Sequence, residues 1–186
     1  MEQIKELTKR LIANSFKELM LQMPFEKITI KTITDHANVI RPTFYNHFHD
    51  KYELVEWILK EEIINRAANL LIEGRATAAI SALFEGFFED TEYYRKAFEI
   101  GGQNGFADTL SKLITETLGS VIQDSRYADN RLLTTEVLAQ YYASGLITVI
   151  RLEIYREEEL PLDEIIGAYK FLVKHTIYDL IEDGTK

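Results

Sequence analysis

The chain has 186 residues, of which 46% are apolar and 27% charged, with a formal net charge of −9 and no cysteine. This excludes disordered, collagen-like and low-complexity proteins, and it leaves no disulfide framework, thiolate nucleophile or cysteine-built zinc site. The charge is unevenly shared: residues 1–60 hold nine Lys/Arg and eight Asp/Glu, whereas residues 61–186 hold twelve and twenty-two, so a polyanion would be met by the first part alone, if at all.

Only three prolines occur, Pro24, Pro42 and Pro161, and apolar residues recur at helical spacing along nearly the whole chain, which predicts an all-α fold of about nine helices. Ile4, Leu7, Leu11, Phe16, Leu19 and Met23 form the apolar stripe of a first helix that stops before Pro24. Ile80, Leu83, Phe84, Phe87 and Phe88 follow the i, i+3, i+4, i+7, i+8 pattern, and Phe106, Leu110, Leu113, Ile114, Thr117 and Val121 repeat it. Ile165, Tyr169, Leu172, Val173, Thr176 and Leu180 form the stripe of a last helix. Such stripes face a core. Breaks are expected near 24–27, 38–42, 49–50, Gly74, 101–105, 125–130 and 160–161. This organisation gives a three-helix head, residues 1–49, and a larger helical body, residues 50–186.

The head contains a helix-turn-helix pattern. Thr29 suits an N-cap, and Ile28 and Ile33 have the spacing of a hydrophobic staple. Ile30, Ile33 and Ala37 face inward on a two-turn helix. Asn38 then tolerates the left-handed backbone of a tight turn, and Val39 plugs the gap between helices. A second short helix starts near Pro42, whose missing N–H is harmless there. Phe44 and Phe48 point inward, leaving Arg41, Thr43, Tyr45, Asn46 and His47 outward. These are residue types that bond base edges and phosphates, and the free amides at the start of the Thr29 helix, around Lys31 and Thr32, suit an anion. Asp50-Lys51-Tyr52-Glu53 reads as a capping-box start to the next helix, with Lys51 available to a phosphate. A solvated helical corner has the same composition, so the pattern alone leaves both readings open.

The stretch from Ile33 to Leu54, ITDHANVIRPTFYNHFHDKYEL, resembles the signature of TetR-family transcriptional regulators, roughly I-A-x-x-A-G-V-S-x-G-T-[LF]-Y-x-[HY]-F-x-[SD]-K-x-x-L, and Thr8, Lys9 and Ile12 match the helix that precedes it. The resemblance covers residues 8 to about 60. It implies that Pro42–Phe48 is the recognition helix, that Thr43, Tyr45 and His47 meet operator DNA, and that Lys51 meets a phosphate. Three positions depart from the signature. Asn38 stands for the turn glycine, Ile40 for a capping serine, which removes one cap worth about 1 kcal/mol, and Pro42 for a small residue, which leaves the operator sequence open.

The resemblance also implies a homodimer, because two recognition helices must sit about 34–36 Å apart to read two half-sites, with its interface on the last two long helices. Here these are about Leu132–Arg156 and Pro161–Ile181. Tyr141, Ser144, Gly145, Thr148, Leu152, Tyr169, Leu172, Val173 and Thr176 are the candidate interface residues, although small residues in a long helix equally serve packing within one chain. The middle of the chain is expected to hold the control element. Tyr93, Tyr94, Phe98, Gln103, Asn104, Phe106, Tyr141 and Tyr142 are candidate effector contacts, against the plainer reading that 93–106 is core and connection. That segment is similar to one in a TetR subgroup that includes the activator of dihydroxyacetone kinase operons, whose signal is a partner protein of kinase-like fold. A protein effector and a small apolar molecule therefore both stand.

No G-x-S-x-G, H-E-x-x-H, Walker or dinucleotide fingerprint occurs. His47-x-His49 would need further converging ligands to hold a metal, and Glu157-Glu158-Glu159 reads as a solvated helix end. No enzyme activity, cofactor or metal is expected. No apolar run reaches the ~20 residues of a bilayer span, and the start Met1-Glu2-Gln3-Ile4-Lys5-Glu6 is unlike a secretion signal, so a cytoplasmic protein without membrane contact is expected. The expected function is operator binding, with repression as the family's default sign, controlled from the body. The alternative is a helical sensor or adaptor without DNA binding.

Overall fold

The computed structural model describes residues 2–102, 104–122, 131–158 and 160–182. Every regular element among them is helical, as the spacing of apolar residues requires. Helix α1 spans Glu2–Gln22. Its buried face is Ile12, Phe16, Leu19 and Met20, whereas Ile4, Leu7 and Leu11 are exposed. The expected stripe is thus wrong for its first half: α1 outruns the rest of the head, and its first turns have nothing to pack on. A short 3-10 turn, Phe25–Lys27, follows Pro24 and buries Phe25 against Phe16.

Helix α2, Ile30–His36, is capped by the Thr29 hydroxyl, which accepts from the Thr32 amide at 3.1 Å. Asn38 closes it with φ +51. The Val39 amide donates back to the Thr34 carbonyl, and the Asn38 amide to that of Asp35, which is the paired closure of a left-handed helix end. Helix α3 is only Arg41–Tyr45, shorter than the expected Pro42–Phe48, and residues 46–47 form a turn. Its N-cap is Ile40, which makes no side-chain cap bond. Asp50 starts α4, Lys51–Leu59, by accepting from the amides of Tyr52 and Glu53, while Glu53 accepts from the His49 amide.

Helix α4 does not end at Leu59. It passes through a π-helical turn, Lys60–Ile64, into α5, Asn65–Ile72, so one rod connects head and body. Gly74, at φ +73, ends the rod. Then follow α6, Ala76–Glu89, α7, Thr91–Ala97, α8, Phe106–Val121, α9, Thr135–Ile154, α10, Leu162–Lys174, and α11, Ile177–Glu182. Helix α8 packs along α9, α5 against α6, and α10 against α6.

The described residues hold eleven α-helices, two of them, α4 and α5, joined in one rod, against about nine expected, and the breaks at Asp90 and His175 are not among those expected. Asp90 separates α6 from α7 and caps the latter through the Tyr93 amide. The expected single last helix splits at His175: Thr176 and Asp179 cap each other, the Thr176 hydroxyl accepting from the Asp179 amide and the Asp179 carboxylate accepting from the Thr176 amide. Leu172, Val173 and Thr176 lie exposed rather than in a core stripe. The expected break at 125–130 lies outside the described residues.

The core is continuous from head to body. Phe16 of α1 meets Tyr93 of α7 edge-on, and the buried cluster runs from Ile12 to Tyr169. The apolar faces of α1 and α7 therefore join what the sequence divides at residue 49.

Candidate nucleic-acid interface

Phe44 and Phe48 are fully buried, their rings 5.6 Å apart, and Phe48 leans on Trp57 of α4. An isolated helix of five residues is unstable, so these two aromatic anchors fix α3 to the rest of the head. With residues 44 and 48 inward, the helical turn pushes 41, 42, 45 and 46 outward. Arg41, Pro42 and Asn46 are exposed, Tyr45 is 51% exposed, and Thr43 and His47 are half-buried. The Arg41 guanidinium lies 3.4 Å from the Tyr45 hydroxyl, a long contact that a stronger acceptor would displace.

At the start of α2, Lys31 is exposed and only loosely paired with Asp35 at 3.9 Å. Thr32 is half-buried, its hydroxyl 2.7 Å from that of Thr29. Lys51 behaves differently. Its ammonium turns inward, donating to the Phe25 carbonyl at 2.6 Å and the Ile28 carbonyl at 3.0 Å, above the Phe25 ring. Burial pulls its pKa below the usual lysine range. Two of its three donors thus fasten the 25–28 turn, and one remains for an anion.

Two basic residues belong beside this set that the sequence reading had not placed there. Lys5 and Lys9 of α1 act on His47, whose pKa is lowered by partial burial and then by those two charges. The Lys9 ammonium also stands 5.6 Å over the Trp57 ring. Lys9 is visible in the Thr8-Lys9 lead-in, but only the packing that sets it over Trp57 of α4 brings it near α3.

The candidate effector residues fall in separate places, with Tyr93, Tyr94, Phe98 and Phe106 packed ring to ring away from the others. Tyr93, Tyr94 and Phe106 are core, Asn104 and Tyr141 are exposed, and Phe98 is partly buried against Phe106. Gln103 lies outside the described residues. The segment is a connection between α7 and α8 closed by the Phe106 amide on the Ile100 carbonyl. Instead, the body holds an apolar cavity of about 140 Å³ between α5, α6, α8, α9 and α10. Of the candidate set, only Tyr142 lines it. Its walls include Ala67, Ala79, Leu83, Ile114 and Leu146, and Tyr169, whose hydroxyl burial pushes up to about 12. Tyr169 packs edge-on against Phe84 and is buried in its own protomer, which takes it out of the candidate interface. Tyr141, Ser144, Gly145, Thr148, Leu152, Leu172, Val173 and Thr176 are all exposed.

Residues 17–58 match the family described as bacterial regulatory proteins, tetR family. The chain is 37% identical over 62 residues to the HTH-type dhaKLM operon transcriptional activator DhaS of Lactococcus lactis, a stretch that covers 32% of this chain and about a third, 33%, of that relative's length. Among solved structures, the dihydroxyacetone kinase operon activator DhaS superposes with a TM-score of 0.61 at 23% identity, over 90% of this chain and 94% of that one. A TetR transcriptional regulator from Streptococcus agalactiae gives 0.58 at 19% identity, over 92% and 96%. The match to the tetR family thus lies in the head, within residues 17–58, and the solved structures share the fold of the chain.

Proposed function

We propose that this chain is a homodimeric, operator-binding transcriptional regulator whose DNA affinity is set by occupancy of the body. The observation that carries the reading is the division of one short turn: Phe44 and Phe48 buried, Arg41, Pro42, Tyr45 and Asn46 exposed. Short helices with such an edge read the major groove when a second copy supplies the other half-site. Arg41, Thr43, Tyr45, Asn46 and His47 are assigned to bases and nearby phosphates, and Lys5, Lys9, Thr29, Lys31, Thr32 and the spare donor of Lys51 to the backbone. Residues 1–49 act as the DNA-binding unit and 50–186 as the control and dimerisation unit.

The second copy is assigned to the outer face of α9 with α10. Ala139, Ala143, Leu146, Ile150 and Ile154 bury one side of α9, while Tyr141, 72% exposed, and Leu152, 63% exposed, stand on the other with Gly145 and Thr148 between them. A helix apolar on both sides needs a partner for each. The effector is assigned to the 140 Å³ cavity. Apolar cavities of about 150 Å³ bind single-ring guests, and a charged guest would lose its hydration against walls with no counter-charge. By preferring one spacing of the two heads, such a guest changes operator affinity.

Repression needs nothing beyond occupancy of a promoter and is the simpler sign. The curated relative is an activator, which favours activation as the second reading, and transcription in vitro from a bound promoter separates the two. The central test is Tyr45→Ala in a mobility shift on the gene's own promoter and its neighbours. Loss of roughly a hundredfold or more in affinity is expected, since each good base contact contributes about 1–3 kcal/mol and the dimer uses two, with the dimer intact by sedimentation. Unchanged affinity would overturn the assignment of α3. A chain that shifts no DNA at either low or moderate salt would favour a sensor or adaptor.

A further inference from the structure

We propose that the π-helical turn Lys60–Ile64 is the joint through which occupancy of the apolar cavity sets the attitude of the head, with Glu62 as the positioning residue that grips Lys17 of α1. This rests on the reading of the cavity as the effector site. A π-turn is a discrete arrangement. The Asn65 amide donates to the Lys60 carbonyl, five residues back instead of four, so the rod carries one residue more than an α-helix has room for. Displacing that bulge along the rod turns the residues it passes by about 100° and advances them about 1.5 Å. Bulges of this kind occur at functional positions, and coupling between sites requires an element with two arrangements.

Both faces of the joint are already engaged. On the body side Ile64, its last residue, and Ala67 and Leu71 beyond it are walls of the cavity. Gly86 of α6 admits the bulge: a Cβ there would come within 2.8 Å of Ile63 Cγ1. On the head side, two consecutive carboxylates reach α1. Glu61 meets Arg10 at 3.3 Å and Glu62 meets Lys17 at 2.7 Å. Arg10 is mostly exposed and its pair contributes little. Lys17 is 16% exposed, lies over the Tyr93 ring at 5.0 Å and also meets Asp90 at 2.8 Å. Burial would lower the Lys17 pKa, but the hydrogen bonds and charges of Asp90 and Glu62 more than offset it and hold it above the usual lysine range. Tyr94 donates to the same Glu62 at 2.8 Å. Asp90 ties α1 to the body directly. Glu62 ties it to the joint, so losing Glu62's charge uncouples α1 from the bulge without freeing it.

The test uses the full chain and no ligand. Ala79→Leu fills the cavity from α6, and it is made alone and together with Glu62→Gln, which keeps the acceptor for Tyr94. Hydrogen exchange is read in 60–64 and in α1 around Lys17, and operator affinity in the same proteins. Filling the cavity should change exchange at least threefold at both places in the wild-type background but only in 60–64 with Glu62→Gln. Operator affinity should change at least fivefold in the first background and less than twofold in the second. An equal response of α1 in both backgrounds, or no response in 60–64, overturns the proposal. Absent DNA binding with the exchange pattern as expected would fail the operator reading alone and support the joint. Lys17→Arg should preserve the coupling and Lys17→Met remove it, a difference that simple loss of packing does not produce. Should Ala79→Leu not fold cooperatively, Leu146→Phe fills the same space from α9.

Discussion

Head and body use their helices in opposite ways. In the head, helices of seven and five residues bury a few aromatic and aliphatic anchors and present polar side chains outward, each placed by a motif a few residues long: the Thr29 cap, the left-handed Asn38 closure, the Asp50 cap. In the body, helices of 14, 16 and 20 residues put their distinctive feature inside, where five of them enclose one apolar space. The head's surface is specified locally and its stability is borrowed from packing. The body's stability is its own, and its cavity exists only once distant segments have met.

Substitutions of decreasing severity test this contrast. Phe44→Ala should have the largest effect. The ring is completely buried, and removing it costs about 3–5 kcal/mol, enough to lower the melting temperature by roughly 10 °C in a chain of this size. Because the core runs unbroken from Ile12 to Tyr169, calorimetry should show one lowered transition. Two separate transitions, with the body's unchanged, would mean that the head does not lean on the body. Leu152→Glu attacks the other region. Its side chain is 63% exposed in the protomer, so helix content should hold, whereas a charge buried unpaired between two copies should weaken self-association at least a hundredfold, about 2.7 kcal/mol or more. An unchanged mass in sedimentation would move the interface elsewhere.

The same contrast decides what could be read in advance. Thr29, Asn38 and Asp50 act through neighbours within four residues, Phe44 and Phe48 turn inward by helical spacing, and these expected structural roles match the structure. The break between α10 and α11 belonged to this class as well: Thr176-Ile177-Tyr178-Asp179 is a capping pattern, but the apolar stripe that runs through it masked the signal. Ile4, Leu7 and Leu11 have helical spacing, yet spacing cannot tell which turns of a long helix have something to pack on. The aromatic residues Tyr93, Tyr94 and Phe106 suited a binding site by type and turned out to be core by position. Lys17 between Glu62 and Asp90 joins three elements far apart in sequence, and no local pattern announces it. Lys51 shows the limit from the other side. Its place in the signature was plain, and only the fold shows its ammonium spent mainly on the carbonyls of Phe25 and Ile28.

Asn38 offers a milder test of local specification. A non-glycine residue at φ +51 is strained by about 1–2 kcal/mol unless its side chain relieves it. Asn38→Ala should therefore lower the melting temperature by a few degrees, and Asn38→Gly should leave it within about a degree of wild type or raise it slightly. Equal losses for both would place the value of Asn38 in its side-chain contacts rather than in its backbone.

The smallest effect lies where the head meets its own basic residues. Partial burial, then Lys9 and Lys5, lower the His47 pKa from its ordinary 6.5, so the folded chain resists the proton that the unfolded chain accepts. Above 6.5 the imidazole is neutral in both states and contributes nothing. As pH falls below that value the unfolded state gains protons first, and stability declines until the folded imidazole titrates too. Because the side chain is only half-buried, the loss should be slight. A DNA phosphate beside the ring has the opposite influence, favouring the imidazolium. Between about pH 7.5 and 5.5, wild-type stability should therefore edge down while operator affinity rises, and His47→Gln should flatten both trends. Melting curves and mobility shifts on the two proteins across that range give the answer. If affinity follows the same pH course with and without the imidazole, His47 does not touch the operator backbone, and the edge of α3 that reads DNA ends at Asn46.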